Sequence, residues 1–181
     1  MDGQPNPYPW YESLQTGDET LEQGDFVSNC SIVLPPTELY EGQEIDITIQ
    51  KRDVIILSQS CDLENGKIDR VMVCPYFEIE TYWNLTGMQS KGKKRGMLKK
   101  LTQSGLPGAH LLHPLPNSQQ PIVVDFRNIY GIPFPYLQTY CASMARYRLL
   151  PPYKEHLSQA FARYFMRVGL PAGVPPYEPQ A

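Results

Sequence analysis

The pattern of apolar and polar residues is most informative at positions 51–63. An uninterrupted aliphatic run at residues 54–57 is followed at once by a group of polar or reactive side chains: Ser58, Gln59, Ser60, Cys61 and Asp62. A run of this length and composition predicts a strand that is covered on both faces. The polar group then lies where the strand leaves the core. It therefore forms a candidate face for a partner or a substrate.

Other segments predict the neighbours of this strand. Residues 26–34 predict a first strand, which begins at Phe26 and Val27 and ends before Pro35 and Pro36. Residues 45–50 alternate between apolar and polar with period two, which predicts a half-buried strand. Residues 70–76 form a further strand, which an Asn-Gly turn at 65–66 separates from the central one. We expect an antiparallel hairpin over residues 53–76.

The second half of the chain adds one strand and one helix of clear pattern. Residues 78–85 fit a strand or a helix, and residues 109–116 give an apolar run that contains His110 and His113, which are more often packed residues than ligands. Residues 122–126 predict a strand. From position 153 onwards, large apolar residues recur at intervals of three and four, which predicts a helix up to the Gly and Pro at 169–171: Leu157, Phe161, Tyr164, Phe165 and Val168.

These elements suggest one domain with appended segments. Residues 1–22 are predicted as an acidic, Pro-rich arm, whose aromatic residues Tyr8, Trp10 and Tyr11 fit an anchor for the terminus. Residues 23–150 form an antiparallel β domain with a basic insertion at 87–105. Residues 151–171 form a C-terminal helix packed on that domain, and residues 172–181 an extended tail.

Composition agrees with a small globular protein of short elements. The chain has 181 residues with 18 prolines and 13 glycines, and it contains no apolar span of membrane length and no leader-like start. We therefore expect a cytoplasmic protein that does not associate with membranes. The irregular spacing of Cys30, Cys61, Cys74 and Cys141 favours free thiols and no metal or other cofactor. A mixed zinc site of two cysteines with the two histidines of residues 109–116 is the alternative.

Charge is distributed unevenly along the chain. The first fifty residues contain ten acidic residues and no Lys or Arg, so the remainder carries +7 although the net charge is −3. The acidic part could cover a basic surface, within the chain or on a second copy, or it could present an acidic face to a basic partner. A solvated surface that serves only solubility is an equal alternative.

Six cations cluster within ten residues: Lys91, Lys93, Lys94, Arg95, Lys99 and Lys100. Such density is typical of segments that bind the phosphates of RNA or DNA through charge neutralisation. The alternative is an exposed loop that leads into a helix near residues 97–103, with its charges solvated or paired to the acidic first fifty residues.

Part of the sequence resembles the PemK/MazF family of small barrel toxins. The resemblance lies in the order of four segments: Gly24-Asp25-Phe26-Val27, Lys51-Arg52-Asp53-Val54-Ile55-Ile56-Leu57-Ser58, Gly66, and Val71-Met72-Val73-Cys74-Pro75. It implies a mainly β fold, a small antiparallel SH3-like barrel with a C-terminal helix. It also implies that Arg52 stands for the family's catalytic arginine. The family's threonine has no counterpart, because Tyr76 and Phe77 follow Pro75.

Three functions follow as hypotheses. The first is a non-catalytic barrel-type binding module of a bacterial toxin–antitoxin, phage-defence or phage-encoded system, with the basic segment on nucleic-acid phosphates and residues 58–62 on a protein partner. The second is an active endoribonuclease in which Arg52 stabilises phosphate charge and Asp62 or a histidine moves the proton. The third is a purely protein-binding subunit, including a homo-oligomer.

Overall fold

The computed structural model describes residues 8–38, 42, 44 and 46–166, and shows a mainly antiparallel β fold with a C-terminal helix. Its strands are β1 (Tyr11–Leu14), β2 (Asp25–Leu34), β3 (Thr48–Ile56), β4 (Arg70–Glu78), β5 (Ala109–Leu112), β6 (Ile122–Asp125), β7 (Tyr130–Pro133) and β8 (Arg146–Leu149). Its helices are α1 (Ser60–Glu64), α2 (Ile79–Leu85), α3 (Lys91–Thr102), α4 (Phe134–Ala142) and α5 (Tyr153–Phe165).

The strands form one open sheet. They are ordered β1-β8-β2-β3-β4-β6-β5, every pair is antiparallel, and β7 also pairs with β4. Val73 pairs with Ile56 of β3 and with Tyr130 of β7, so β6 and β7 run along the side of β4 that faces away from β3. No ladder among the described strands joins β1 to β5. The mainly β class is therefore confirmed, while the sheet is open where a closed one was expected.

Strand β3 lies in the middle of the sheet order, and its C-terminal end, Val54–Ile56, has both faces covered. Val54 and Ile56 belong to one core cluster with Leu137 of α4, whereas Ile55 belongs to the other with Leu157 of α5. These side chains are at most 1% exposed. The alternation of strand side chains explains why the apolar run is continuous, since each face meets its own helix. The prediction of a strand that is covered on both faces is confirmed.

The hairpin predicted over residues 53–76 is also present. Strands β3 and β4 pair antiparallel through Val54–Ile56 of β3. Their connection contains the short helix α1, whose C-terminal cap is Asn65, and Gly66 follows with a positive φ of 60°. The Asn-Gly pair therefore ends a helical turn instead of forming a two-residue hairpin loop.

The basic segment is a helix, not a loop. Helix α3 covers Lys91–Thr102, and the side chain of its N-cap Ser90 accepts a hydrogen bond from the backbone N of Lys93. Leu101, with the partly buried Met97 and Leu98, packs in a third cluster with residues of α2, β5 and β6. The spacing of these apolar residues places them on one helical face, so packing stabilises the helix in spite of two glycines.

The N-terminal aromatic residues anchor the chain as expected. Trp10 stacks on Tyr153 of α5 with ring centroids 3.5 Å apart, and on His113 at 5.4 Å. Tyr11 begins β1, which pairs with β8. Helix α5 matches the predicted helix in position, but the predicted end at 169–171 and the tail 172–181 lie outside the described residues. Of the helices in the described residues, none has the length and apolarity to cross a bilayer.

Candidate functional site

Three of the five polar residues at 58–62 support the local structure. Ser58 is 3% exposed, and its Oγ accepts a hydrogen bond from the backbone N of Met72 at 2.8 Å. The Oγ of Ser60 accepts from the backbone N of Gln23 at 3.2 Å. Gln59 donates from Nε2 to Ser158 of α5 at 3.0 Å. These contacts connect the end of β3 to β4, to the segment before β2 and to α5.

The other two residues of this group are exposed on α1. Cys61 is accessible, and Asp62 lies 3.9 Å from the Nζ of Lys67 in a partly exposed ion pair. Because Ser58 points into the sheet while Cys61 points to solvent, the five side chains do not converge on one ligand. What remains accessible of the proposed partner face is the surface of α1.

The structure does not connect Arg52 with Asp62. Arg52 lies in the middle of β3 opposite Cys30, and its Nη2 donates to Gln50 Oε1 at 2.6 Å. No ion pair or hydrogen bond joins the two proposed catalytic residues in the described part of the chain. Tyr76, which follows Pro75 directly, is buried, and burial raises its pKa to about 12. That phenol therefore stays protonated at neutral pH and is a weak base.

The histidines and cysteines do not assemble into a metal site. Burial lowers the pKa of His110 to about 4, so its ring is neutral at pH 7, and His113 is exposed and stacked on Trp10. Cys30, Cys74 and Cys141 are buried free thiols. Within the described residues, no group of three or more His, Cys, Asp or Glu side chains is placed to hold a metal ion. The mixed zinc site thus has no counterpart there.

The exposed face of α3 carries two rows of positive charge. Lys91, Arg95 and Lys99 follow one another at intervals of four residues, and so lie along one side of the helix. Lys93 and Lys100 lie along the other side, seven residues apart. All five side chains are exposed, and none has an ion-pair partner among the described residues. Gly92 and Gly96 separate the two rows.

Lys94 differs from the other cations of α3. Its Nζ lies 2.7 Å from Glu80 Oε2 and 4.7 Å from the centre of the Trp83 ring, and both partners belong to α2. This ammonium group therefore attaches α3 to α2 and is not available to a ligand. Of the six residues predicted to bind phosphates, the five other than Lys94 remain available for that contact.

Sequence reasoning missed a buried charge cluster at β2 and β8. Asp25 is fully buried, and it accepts hydrogen bonds from Arg148 Nη2 at 2.9 Å and from Arg146 Nε at 3.3 Å. Glu22 bridges Arg148 and Lys154, each at 2.8 Å. Part of the acidic first fifty residues thus covers a basic surface within the chain. The alternation of Arg with Tyr147 and Leu149 was the available signal for a strand with one charged face.

The accessible chemistry of the described residues is therefore concentrated on α3 and beside it. Asp125, at the end of β6, pairs with Arg127, which lies next to α3 in a shared pocket. Comparison of the chain with family models, with curated proteins and with solved structures finds no match.

Proposed function

We propose that this protein is a nucleic-acid-binding module that contacts phosphates through the exposed face of α3. The observation that carries the proposal is the pair of cation rows, five exposed Lys and Arg side chains on twelve residues of helix with no carboxylate partner in the described part of the chain. Phosphate groups are bound by such surfaces because each neutralised phosphate releases a condensed counterion.

The charge balance of the molecule supports this interpretation over a surface that is only solvated. The described ion pairs of the first fifty residues go to Arg146, Arg148 and Lys154. The described acidic residues thus neutralise β8 and α5, and none of the described ion pairs of this segment involves α3, in a protein whose net charge is −3. A single strongly positive helix on an acidic protein is expected to orient an anionic polymer towards that helix.

The test is the salt dependence of binding to a labelled oligonucleotide, measured by fluorescence anisotropy between about 50 and 200 mM salt. We expect affinity to fall steeply with salt. The double variant Lys93→Gln/Lys100→Gln should weaken binding and reduce the logarithmic slope by roughly 0.7 for each lost contact with a single strand. Loss of two positive charges elsewhere, in Lys67→Gln/Arg70→Gln, should leave the slope nearly unchanged. Absence of binding at low salt would refute the proposal.

The setting in which we place this module is a cytoplasmic bacterial toxin, phage-defence or phage-encoded system with an SH3-like core of PemK/MazF type. What supports the placement is the position of the segments that resemble this family. They fall on β2, β3 and β4, which are consecutive neighbours in the sheet and antiparallel. A protein partner on the exposed surface of α1, around Cys61 and Asp62, belongs to the same proposal.

Endoribonuclease activity has less support from the geometry. Arg52 contacts Gln50, Asp62 contacts Lys67, and the phenol of Tyr76 holds its proton at neutral pH. No hydrogen bond or ion pair among the described residues joins any two of Arg52, Asp62 and Tyr76. Gel analysis of the RNA after incubation with the protein separates binding, which leaves the strand intact, from cleavage.

A second candidate function is self-association, because one groove leaves apolar side chains exposed. The groove has a volume of about 700 Å³ and lies between the β2–β3 ribbon and β7. The groove is lined by Val33 and Ile49, which are about 60% exposed, and by Tyr136 of α4. Strand β3 pairs with β4 only from Val54 onwards, so its first half has a single described partner strand. The unpaired backbone N–H and C=O groups of such an edge can form hydrogen bonds with the same edge of a second copy.

A further inference from the structure

A pocket next to α3 is not explained by phosphate contacts alone. It has a volume of about 550 Å³ and lies between α2, α3, the turn at 106–108 and the end of α5. Met88, Met97 and Leu106 contribute apolar surface, while Tyr82 and Tyr164 contribute aromatic rings. We call this the α3 pocket. Its size is in the range of sites that bind small molecules or parts of larger ligands.

Arg127 is held rigidly at this pocket. Its Nε and Nη2 donate to the two carboxylate oxygens of Asp125, both at 2.8 Å, and its backbone N donates to the same side chain at 3.1 Å. Asp125 is buried, whereas the side chain of Arg127 is 53% exposed and lies 5.9 Å from the centre of the Tyr82 ring. A buried carboxylate thus fixes the plane of an accessible guanidinium group, which is a suitable surface for stacking and for hydrogen bonds.

The pocket is continuous with one of the two cation rows. Met97 lies four residues after Lys93 and three before Lys100, so the two lysines are its direct neighbours on the helix surface. None of the residues that line the α3 pocket is acidic. Lys93 and Lys100 therefore lie beside the pocket, and Arg127 belongs to its lining together with apolar and aromatic side chains. That combination fits a ligand with a flat apolar body attached to an anionic chain.

We propose that the α3 pocket takes one unpaired nucleobase of a single-stranded nucleic acid, while the adjoining phosphates lie on Lys93 and Lys100. This inference rests on the proposed function, and it adds that the nucleic acid is single-stranded. A base stacks on aromatic and guanidinium planes and tolerates apolar walls. In a duplex the same base is paired and stacked, and reaching the pocket would require its extrusion. A purely apolar protein segment would make no use of the two lysines beside the pocket or of the guanidinium plane of Arg127.

The experiment compares strands that carry the same charge with and without bases. The probes are oligothymidylate, oligouridylate and an abasic phosphodiester strand of equal length, with a duplex as the fourth, all measured by anisotropy at one salt concentration. We expect the strands with bases to bind about five- to 150-fold more tightly than the abasic strand, which is the usual effect of one or a few stacked bases. The first two probes distinguish DNA from RNA as the source of the base.

The outcomes separate this inference from the proposed function. If none of the four probes binds, phosphate recognition by α3 is wrong. Equal affinities for the abasic strand and the strands with bases would overturn the base pocket while phosphate recognition stands. Equal affinities for the duplex and the single strands would overturn it as well.

A pair of variants tests whether the preference for strands with bases comes from the α3 pocket. Tyr164→Leu should reduce the preference for strands with bases, because an aromatic ring of the pocket is lost, and should leave the affinity for the abasic strand nearly unchanged, because no positive charge is removed. Tyr136→Leu is the matched control, because it makes the same exchange at a ring of α4 that is 41% exposed and does not line the pocket. A Tyr164→Leu protein with unchanged melting temperature and unchanged preference would overturn the assignment.

Discussion

At the scale of single residues, Asp25 shows how strongly one buried charge can constrain this fold. Its carboxylate lies between Arg146 and Arg148 and is fully shielded from water. The preceding Gly24 has a φ of 89°, and an added Cβ would lie 2.9 Å from the Cβ of Leu149. The Gly-Asp pair at the start of β2 is thus required for structural reasons, and its presence alone does not indicate catalysis.

Replacing Asp25 should destabilise the protein severely. In Asp25→Asn, Arg146 and Arg148 lose their buried counter-charge and keep the more exposed carboxylates of Asp18 and Glu22. We expect a loss of about 3–5 kcal/mol in the free energy of unfolding. The measurement is urea unfolding followed by circular dichroism. Asp62→Asn serves as the control, since its exposed pair with Lys67 is worth about 1 kcal/mol at most. A loss for Asp25→Asn no larger than for the control would contradict the described cluster.

At the scale of elements, α3 combines a well-anchored inner face with an outer face of low helix propensity. Met97, Leu98 and Leu101 pack on the core, and Lys94 joins α2. On the outer face, Gly92 and Gly96 weaken the helix, because glycine loses more backbone entropy on folding than alanine does. Tertiary packing, not intrinsic propensity, therefore determines that this segment is helical.

The double variant Gly92→Ala/Gly96→Ala should accordingly stabilise the protein. Neither glycine has an atom within 4 Å of an added Cβ, and each exchange in an exposed helix is worth about 1 kcal/mol. Differential scanning calorimetry should show a melting temperature higher by several degrees. Gly24→Ala should have the opposite effect because of its positive φ and the contact with Leu149. An unchanged or lowered melting temperature for the double variant would argue against a helix at these positions.

At the scale of the whole molecule, the open sheet leaves two surfaces of different chemistry. The face of α3 is strongly positive, whereas the groove beside the first half of β3 is apolar. The two belong to different elements, since α3 packs in the cluster of α2, β5 and β6 and the groove lies between β2, β3 and β7. Nucleic-acid binding and self-association could therefore be altered independently by substitution.

Sedimentation velocity of the whole chain tests the role of the groove. If two copies pair through β3, the wild type should sediment as a dimer, and Ile49→Glu should shift it to the monomer, because a buried carboxylate without a partner is costly. Leu85→Glu is a matched control: Leu85 and Ile49 are both 61% exposed, but Leu85 lies on α2 outside the groove. A wild type that is monomeric at high concentration would rule out self-association through this edge.

Local sequence patterns were sufficient to predict those elements in which burial follows a regular repeat along the chain. The apolar run at 54–57, the strand at 122–126 and the helix from residue 153 could be predicted because period two or 3.6 is a property of neighbouring residues. Strand β8 and helix α4 escaped prediction. β8 has arginine at alternate positions, and its counter-charge, Asp25, lies more than a hundred residues earlier. Helix α4 begins beside Pro133 and Pro135, and prolines are as typical of a turn as of the first residues of a helix.

The sequence by itself determined the β class, the central strand, the C-terminal helix and the concentration of positive charge at 91–100. Only the tertiary structure decided which of those charges are free, because Glu80 and Trp83 reach Lys94 through the packing of α2. It also decided that Ser58 faces inward and that Arg127, fixed by Asp125, borders a pocket with Tyr82 and Tyr164. Contacts between residues that are distant in sequence leave no local periodicity, so no pattern along the chain could reveal them.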